Sequence, residues 1–140
     1  MKLTNTRNLK RKSGMTLLEL TVVILVLLSL ISILFIGARA WKKGSDRAAN
    51  ILNIRNVQQA VRAHVNVRGL DTPATGATGV ALDSADIVGP GKYLNDVQPP
   101  VSDLTYTYMA TVPPIGELYL IVAGDTDLEY TPDADTIAEW

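Results

Sequence analysis

The hydrophobic pattern divides the chain before any motif is consulted. From Met15 to Ala38 there are 24 residues with one charge, Glu19, and from Leu20 to Ala38 there is none. A bilayer core takes about 20 apolar residues as helix, so this run predicts a membrane-spanning helix. It is apolar on every face, and the roughly 100 residues that follow are too few to wrap it as a core helix. Beyond it the period becomes amphipathic. Ile51, Ile54, Val57, Val61 and Val65 fall within an arc of about 120° on a helix, with Arg55, Gln59, Arg62 and Asn66 on another face. His64 borders the stripe and reads as a surface or partly packed residue. Gly44 and Ser45 would allow a bend, and Gly69 followed by Asp71-Thr72-Pro73 predicts the stop. One helix from Thr16 to Val67 would be roughly 75–80 Å long.

Residues 70–92, rich in Gly, Ala, Thr, Asp and Ser, predict a long surface loop with a helical turn near Ser84–Ile87. Strands are predicted at Leu104–Val112 and Leu118–Ala123, joined by a turn at Pro113-Pro114-Ile115-Gly116-Glu117. Such a hairpin is too weak alone but viable against the helix. The fold class expected is therefore α+β. A long N-terminal helix, transmembrane in its first half and amphipathic in its second, packs on a small C-terminal antiparallel sheet.

Charge sharpens this division. Residues 1–14 carry five bases and no acid, residues 39–69 seven bases and one acid, and residues 70–140 twelve acids and one base. The basic flank at 1–14 predicts a cytoplasmic N-terminus, although Arg39, Lys42 and Lys43 on the far side oppose it. The acidic half would repel phosphates, so no nucleic-acid partner is expected. There is no cysteine and one histidine, which excludes disulfides and thiolate metal sites and leaves no catalytic constellation. The glycines at 69, 76, 79, 89 and 91 lack the GK[ST] unit of a phosphate loop. No enzymatic activity is expected.

Glu19 is the informative residue, because a carboxylate at membrane depth costs on the order of 2–3 kcal/mol and usually has a partner. Around it the chain reads Lys10-Arg11-Lys12-Ser13-Gly14-Met15-Thr16-Leu17-Leu18-Glu19-Leu20. This stretch resembles the type IV pilin and type II secretion pseudopilin family. Members have a short basic leader ending in Gly, an apolar residue next, and Glu as the fifth residue after the cut. Gly14, Met15 and Glu19 fill those positions; Met15 stands where Phe is usual, and Ile36 stands where the family's helix often has proline. Asn53–Ala60, Gly91-Lys92-Tyr93-Leu94, a proline pair and Thr105-Tyr106-Thr107-Tyr108 look like a subgroup of bacterial pilin-like proteins, without the cysteines common there.

The resemblance implies a pilin-like fold and four segments: a cleaved leader at 1–14, a membrane and filament-core helix at 15–38, its amphipathic continuation at 39–69, and a small acidic globular part at 70–140. It implies cutting between Gly14 and Met15 by a prepilin peptidase, methylation of the new amine, and a structural role. The subunit would wait in the bacterial inner membrane, single-pass, with its C-terminal part periplasmic or in a cell-envelope filament. Its partners would be copies of itself, other pseudopilins, an inner-membrane platform and membrane lipid. The new amine and Glu19 share one helix face about 6 Å apart along the axis. A neighbour's amine would then neutralise Glu19 and fix the stagger between chains.

The acidic tail offers Asp125, Asp127, Asp133 and Asp135 as candidate Ca²⁺ ligands, and the major pseudopilins bind Ca²⁺ in this region. The EF-hand spacing is absent, and a solvated acidic surface is the simpler reading; no other cofactor is expected. Two alternatives stand beside the filament subunit. One is a single-span membrane protein whose acidic extracytoplasmic domain binds a ligand or ion. The other is a secreted protein cut at Ala38-Arg39-Ala40, which has the A-x-A form.

Overall fold

The structure, a computed structural model, describes residues 14–125 and 129–140. The leader residues 1–13 and the candidate ligand Asp127 lie outside the described residues. Helix α1 runs from Leu17 to Arg68, within a residue of the expected span at each end, and its helical bonding continues through Gly44 and Ser45. It ends where the sequence predicts. Gly69 takes φ 63° and Leu70 N–H donates to Val65 O at 2.9 Å, the Schellman arrangement that satisfies a last-turn carbonyl. The chain divides into two units, Met1–Ala40 and Trp41–Trp140. The first holds only apolar α1 among its described residues; the second holds the core.

That core is built on one face of α1. Ile54, Val57, Ala60, Val61 and Val65 pack with Leu82, Ile87, Val112, Tyr119 and Leu120. The valine stripe thus finds the burial that its period requires. Three polar residues share this face, Asn50, Gln58 and His64, all buried. His64, expected on the surface or partly packed, is more buried than that: it is 7% exposed, and its ring meets Tyr93 edge-on at 5.8 Å. Ile51, expected in the stripe, is only half-buried.

Strands β1 (Thr105–Tyr108) and β2 (Leu120–Ala123) pair antiparallel, Thr105 opposite Ala123 and Tyr108 opposite Leu120. This register turns Tyr106, Tyr108, Leu120 and Val122 to the core side and leaves Thr105, Thr107, Ile121 and Ala123 exposed, as period-two alternation demands. Both strands are shorter than predicted. Met109 N–H still reaches Tyr119 O at 2.9 Å, but Thr111 leaves to bridge Ala81, and Val112 N–H donates to Val80 O at 2.9 Å. The connection is therefore 109–119 instead of a tight turn. Gly79 permits this approach, since a Cβ there would lie 2.0 Å from Val112 O. Helix α2 (Ser84–Ile87) matches expectation, capped by Asp83 accepting from Ala85 N–H at 3.0 Å. Helix α3 (Ala134–Ile137) was not foreseen in the acidic tail. One turn of four residues carries too little periodicity to be read from sequence.

Tyr119 gives the core an alkaline limit. Its side chain is fully buried and its hydroxyl donates to Leu82 O at 3.3 Å. Burial, then Asp83, Tyr108 and Asp86, push its pKa up to about 12. A raised tyrosine pKa means that the fold favours the neutral form. The stability is whole below the unfolded value of about 10 and is lost as pH climbs through about 12. Tyr119→Phe should remove most of this alkaline loss, on the order of 2–3 kcal/mol, read by denaturant unfolding across this window. Tyr106 and Tyr108, also raised by burial, will keep a residual slope. An unchanged slope in the Phe variant would contradict the assignment.

Candidate functional site

Gly14 and Met15 are exposed, and a Cβ on Gly14 would meet nothing within 4 Å. Two residues on, the start of α1 is a reciprocal cap. Thr16 N–H and Oγ1–H donate to Glu19 Oε2 at 2.8 and 3.0 Å, and Glu19 N–H donates to Thr16 Oγ1 at 3.3 Å. Thr16-Leu17-Leu18-Glu19 is therefore a capping box, which satisfies helix-end N–H groups that have no partner inside the helix. The S/T-x-x-E signal was present in the sequence. In a run this apolar the same carboxylate also reads as a charge in lipid, and that reading hides the cap. All the bonds fall on Oε2; among the described residues no hydrogen bond reaches Oε1.

The apolar part of α1 has no cover of its own. Residues 14–40 are all exposed, and the helix is long and apolar enough to cross a membrane near the N-terminus. Its hydroxyls turn inward. Thr21 donates to Leu18 O at 2.8 Å, Ser29 to Val26 O at 2.7 Å and Ser32 to Leu28 O at 2.8 Å. With these back-bonds made, the outer surface is hydrocarbon apart from Glu19.

In the second unit, polar side chains of α1 act as clamps on irregular backbone. Gln58 Nε2 donates to Glu117 O at 3.0 Å while its Oε1 accepts from Tyr119 N–H at 3.1 Å. Arg62 donates to Pro113 O and Pro114 O at 3.1 Å and to Trp140 O at 3.0 Å. Pro114 O also accepts from Glu117 N–H at 3.2 Å, so Arg62 adds a second donor there and ties this turn and the Trp140 carbonyl to α1. Burial lowers the pKa of Arg62. Asn50 donates to Tyr130 O at 2.8 Å and accepts from Tyr106 Oη–H at 2.6 Å. Arg55 lies 5.7 Å from the Trp140 ring centroid, beside an open groove of about 440 Å³ lined also by Gln59, Arg62 and Asn66.

The candidate calcium ligands are placed differently from one another. Asp125 closes a loop. Its Oδ1 accepts from Glu129 N–H at 3.0 Å, and its Oδ2 accepts from Tyr130 N–H, Thr131 N–H and Thr131 Oγ1–H at 2.8 to 3.0 Å. Three of the four donors share Oδ2 and one takes Oδ1, so the carboxylate is engaged on both oxygens. Glu129 of the same loop pairs with Lys43. Asp133 holds the N-cap position of α3 without a side-chain bond, and Asp135 is exposed in its first turn. Among the described residues no group of three or more His, Asp or Glu could hold a metal ion. With Asp125 engaged in its loop, millimolar calcium is expected to leave the melting temperature unchanged; a rise would return these carboxylates to the role of ligands.

No family model, curated protein or solved structure matches the chain.

Proposed function

We propose that this chain is a structural filament subunit of the type IV pilin and pseudopilin kind. In this reading it is cut after Gly14, held in a bacterial inner membrane by residues 15–38, and polymerised through α1. The observation that carries the reading is an apolar helix segment exposed along its whole length, bearing one carboxylate with an oxygen left open. Water cannot be its solvent, since such a run exposes far more apolar surface than a soluble monomer carries. Lipid serves the hydrocarbon, and so does a bundle of like helices. The carboxylate needs more: a cation supplied at membrane depth. The amine that cutting would create on Met15 of a neighbouring copy is such a cation.

Processing is the first test. Gly14→Val should leave a precursor in the membrane, larger than the wild-type product by the leader, because a β-branched residue hinders the extended approach a protease needs. Normal maturation of that variant would contradict the assignment of the cut.

A further inference from the structure

The second unit begins with three large exposed side chains that the proposed filament contact does not use. Trp41 is 79% exposed, and Lys42 and Arg47 are exposed. Neither base makes an ion pair or hydrogen bond among the described residues, although residues 70–140 carry twelve acids. Lys43 is engaged with Glu129, and Asp46, half-buried, is the one acid of this stretch.

Their arrangement is a ring. At about 100° per residue, Trp41, Lys42 and Arg47 point in three directions around the helix axis, within roughly 9 Å along it. A partner protein would contact one side of the helix and favour a stripe. A layer that surrounds the helix at one level favours a ring. The headgroup zone is such a layer, about 5–8 Å thick on each side of a bilayer. Trp41 follows the apolar run by three residues, where an indole with an apolar body and an N–H suits the boundary. The two bases, on long stems, reach outward to phosphate.

We propose that Trp41, Lys42 and Arg47 form a collar that binds the headgroups of anionic phospholipid. The collar rests on the reading of residues 15–38 as a membrane span, and it fixes the depth of the unassembled subunit.

The test uses the full chain reconstituted in vesicles. The protein has two tryptophans, so Trp140→Phe leaves Trp41 as the sole reporter. Vesicles of phosphatidylcholine alone are compared with vesicles containing added phosphatidylglycerol. With the anionic lipid, Trp41 emission is expected to shift to shorter wavelength. Lipids brominated near the headgroup should quench it more than lipids brominated deep in the chain. Changing Lys42→Gln and Arg47→Gln in that background should raise the phosphatidylglycerol needed for the half-maximal shift by roughly fivefold per base. Emission that is identical in both lipids would overturn the collar. So would a shift that follows protein density and ignores lipid charge, which would assign these bases to the acidic surface of a second copy. Carbonate extraction of the same vesicles separates the two claims. A chain that resists extraction yet keeps Trp41 in water refutes the collar alone, and a chain that is extracted refutes the span and the collar with it.

Discussion

Glu19→Ala should abolish filaments while leaving the protein in the membrane. Glu19→Gln should tell which of two roles of the carboxylate is responsible. In the free subunit Glu19 completes a capping box with Thr16. In the proposed filament it also meets a neighbour's amine. Ala removes both. Loss of the cap costs about 0.5–2 kcal/mol of helix end, and stranding one member of a buried pair costs about 3–5 kcal/mol per contact. The second loss lowers assembly by two orders of magnitude or more, on the scale of about 1.4 kcal/mol per factor of ten. Gln still serves an N3 position in a capping box, because its amide oxygen accepts as the carboxylate does. It cannot neutralise an amine. Filament yield is therefore expected to collapse in both variants, with membrane-fraction yield at or above wild type, since each removes a charge that is costly in lipid. Wild-type filaments from Glu19→Gln and none from Glu19→Ala would mean that Glu19 acts through the cap alone, and the register argument would fall.

The second large effect is expected at Gln58, and it concerns the fold alone. The side chain is 2% exposed and hydrogen-bonds α1 to the backbone on both sides of Leu118, through Glu117 O and Tyr119 N–H. Gln58→Ala removes two hydrogen bonds; it leaves the buried Tyr119 N–H without a partner, while Glu117 O, on an exposed residue, can turn to water, so the cost is about 2–3 kcal/mol. For a small domain this lowers the melting temperature by roughly 10–20 °C. Gln58→Glu is the sharper control. It keeps an acceptor for Tyr119 N–H but loses the donor to Glu117 O and buries a charge, so it should be no better than Ala. A melting temperature within a degree or two of wild type for Gln58→Ala would show that the clamp is idle.

Which features were legible in the sequence follows from the range of the interactions that make them. The long helix was, because its signals are local: an unbroken apolar run, then valines at helical spacing, then Gly69 where a left-handed residue is needed. The turn at Ser84–Ile87 and the existence of two strands were legible for the same reason. The clamps were not. Gln58, Arg62 and Asn50 look like ordinary polar residues on an amphipathic helix, and what makes them structural lies 51 to 80 residues away. The short strands were overextended because nothing local announces that Thr111 pairs with Ala81. At the candidate site the position of Glu19 was readable and its first partner, Thr16, was missed. Asp125 was read for its charge, whereas its role in this structure is to gather four donors from residues 129–131.

The measurement that bears most directly on the proposed function is the N-terminal residue of the protein in sheared cell-surface or secretion-machinery filaments and in the membrane fraction of the same cells. The expected result is a chain that begins at Met15 in both fractions, methylated on its amine. A chain that begins at Met1 and is confined to the membrane would contradict the account in favour of a single-span protein with an acidic domain. A chain that begins at Trp41 in the soluble fraction would contradict it in favour of secretion.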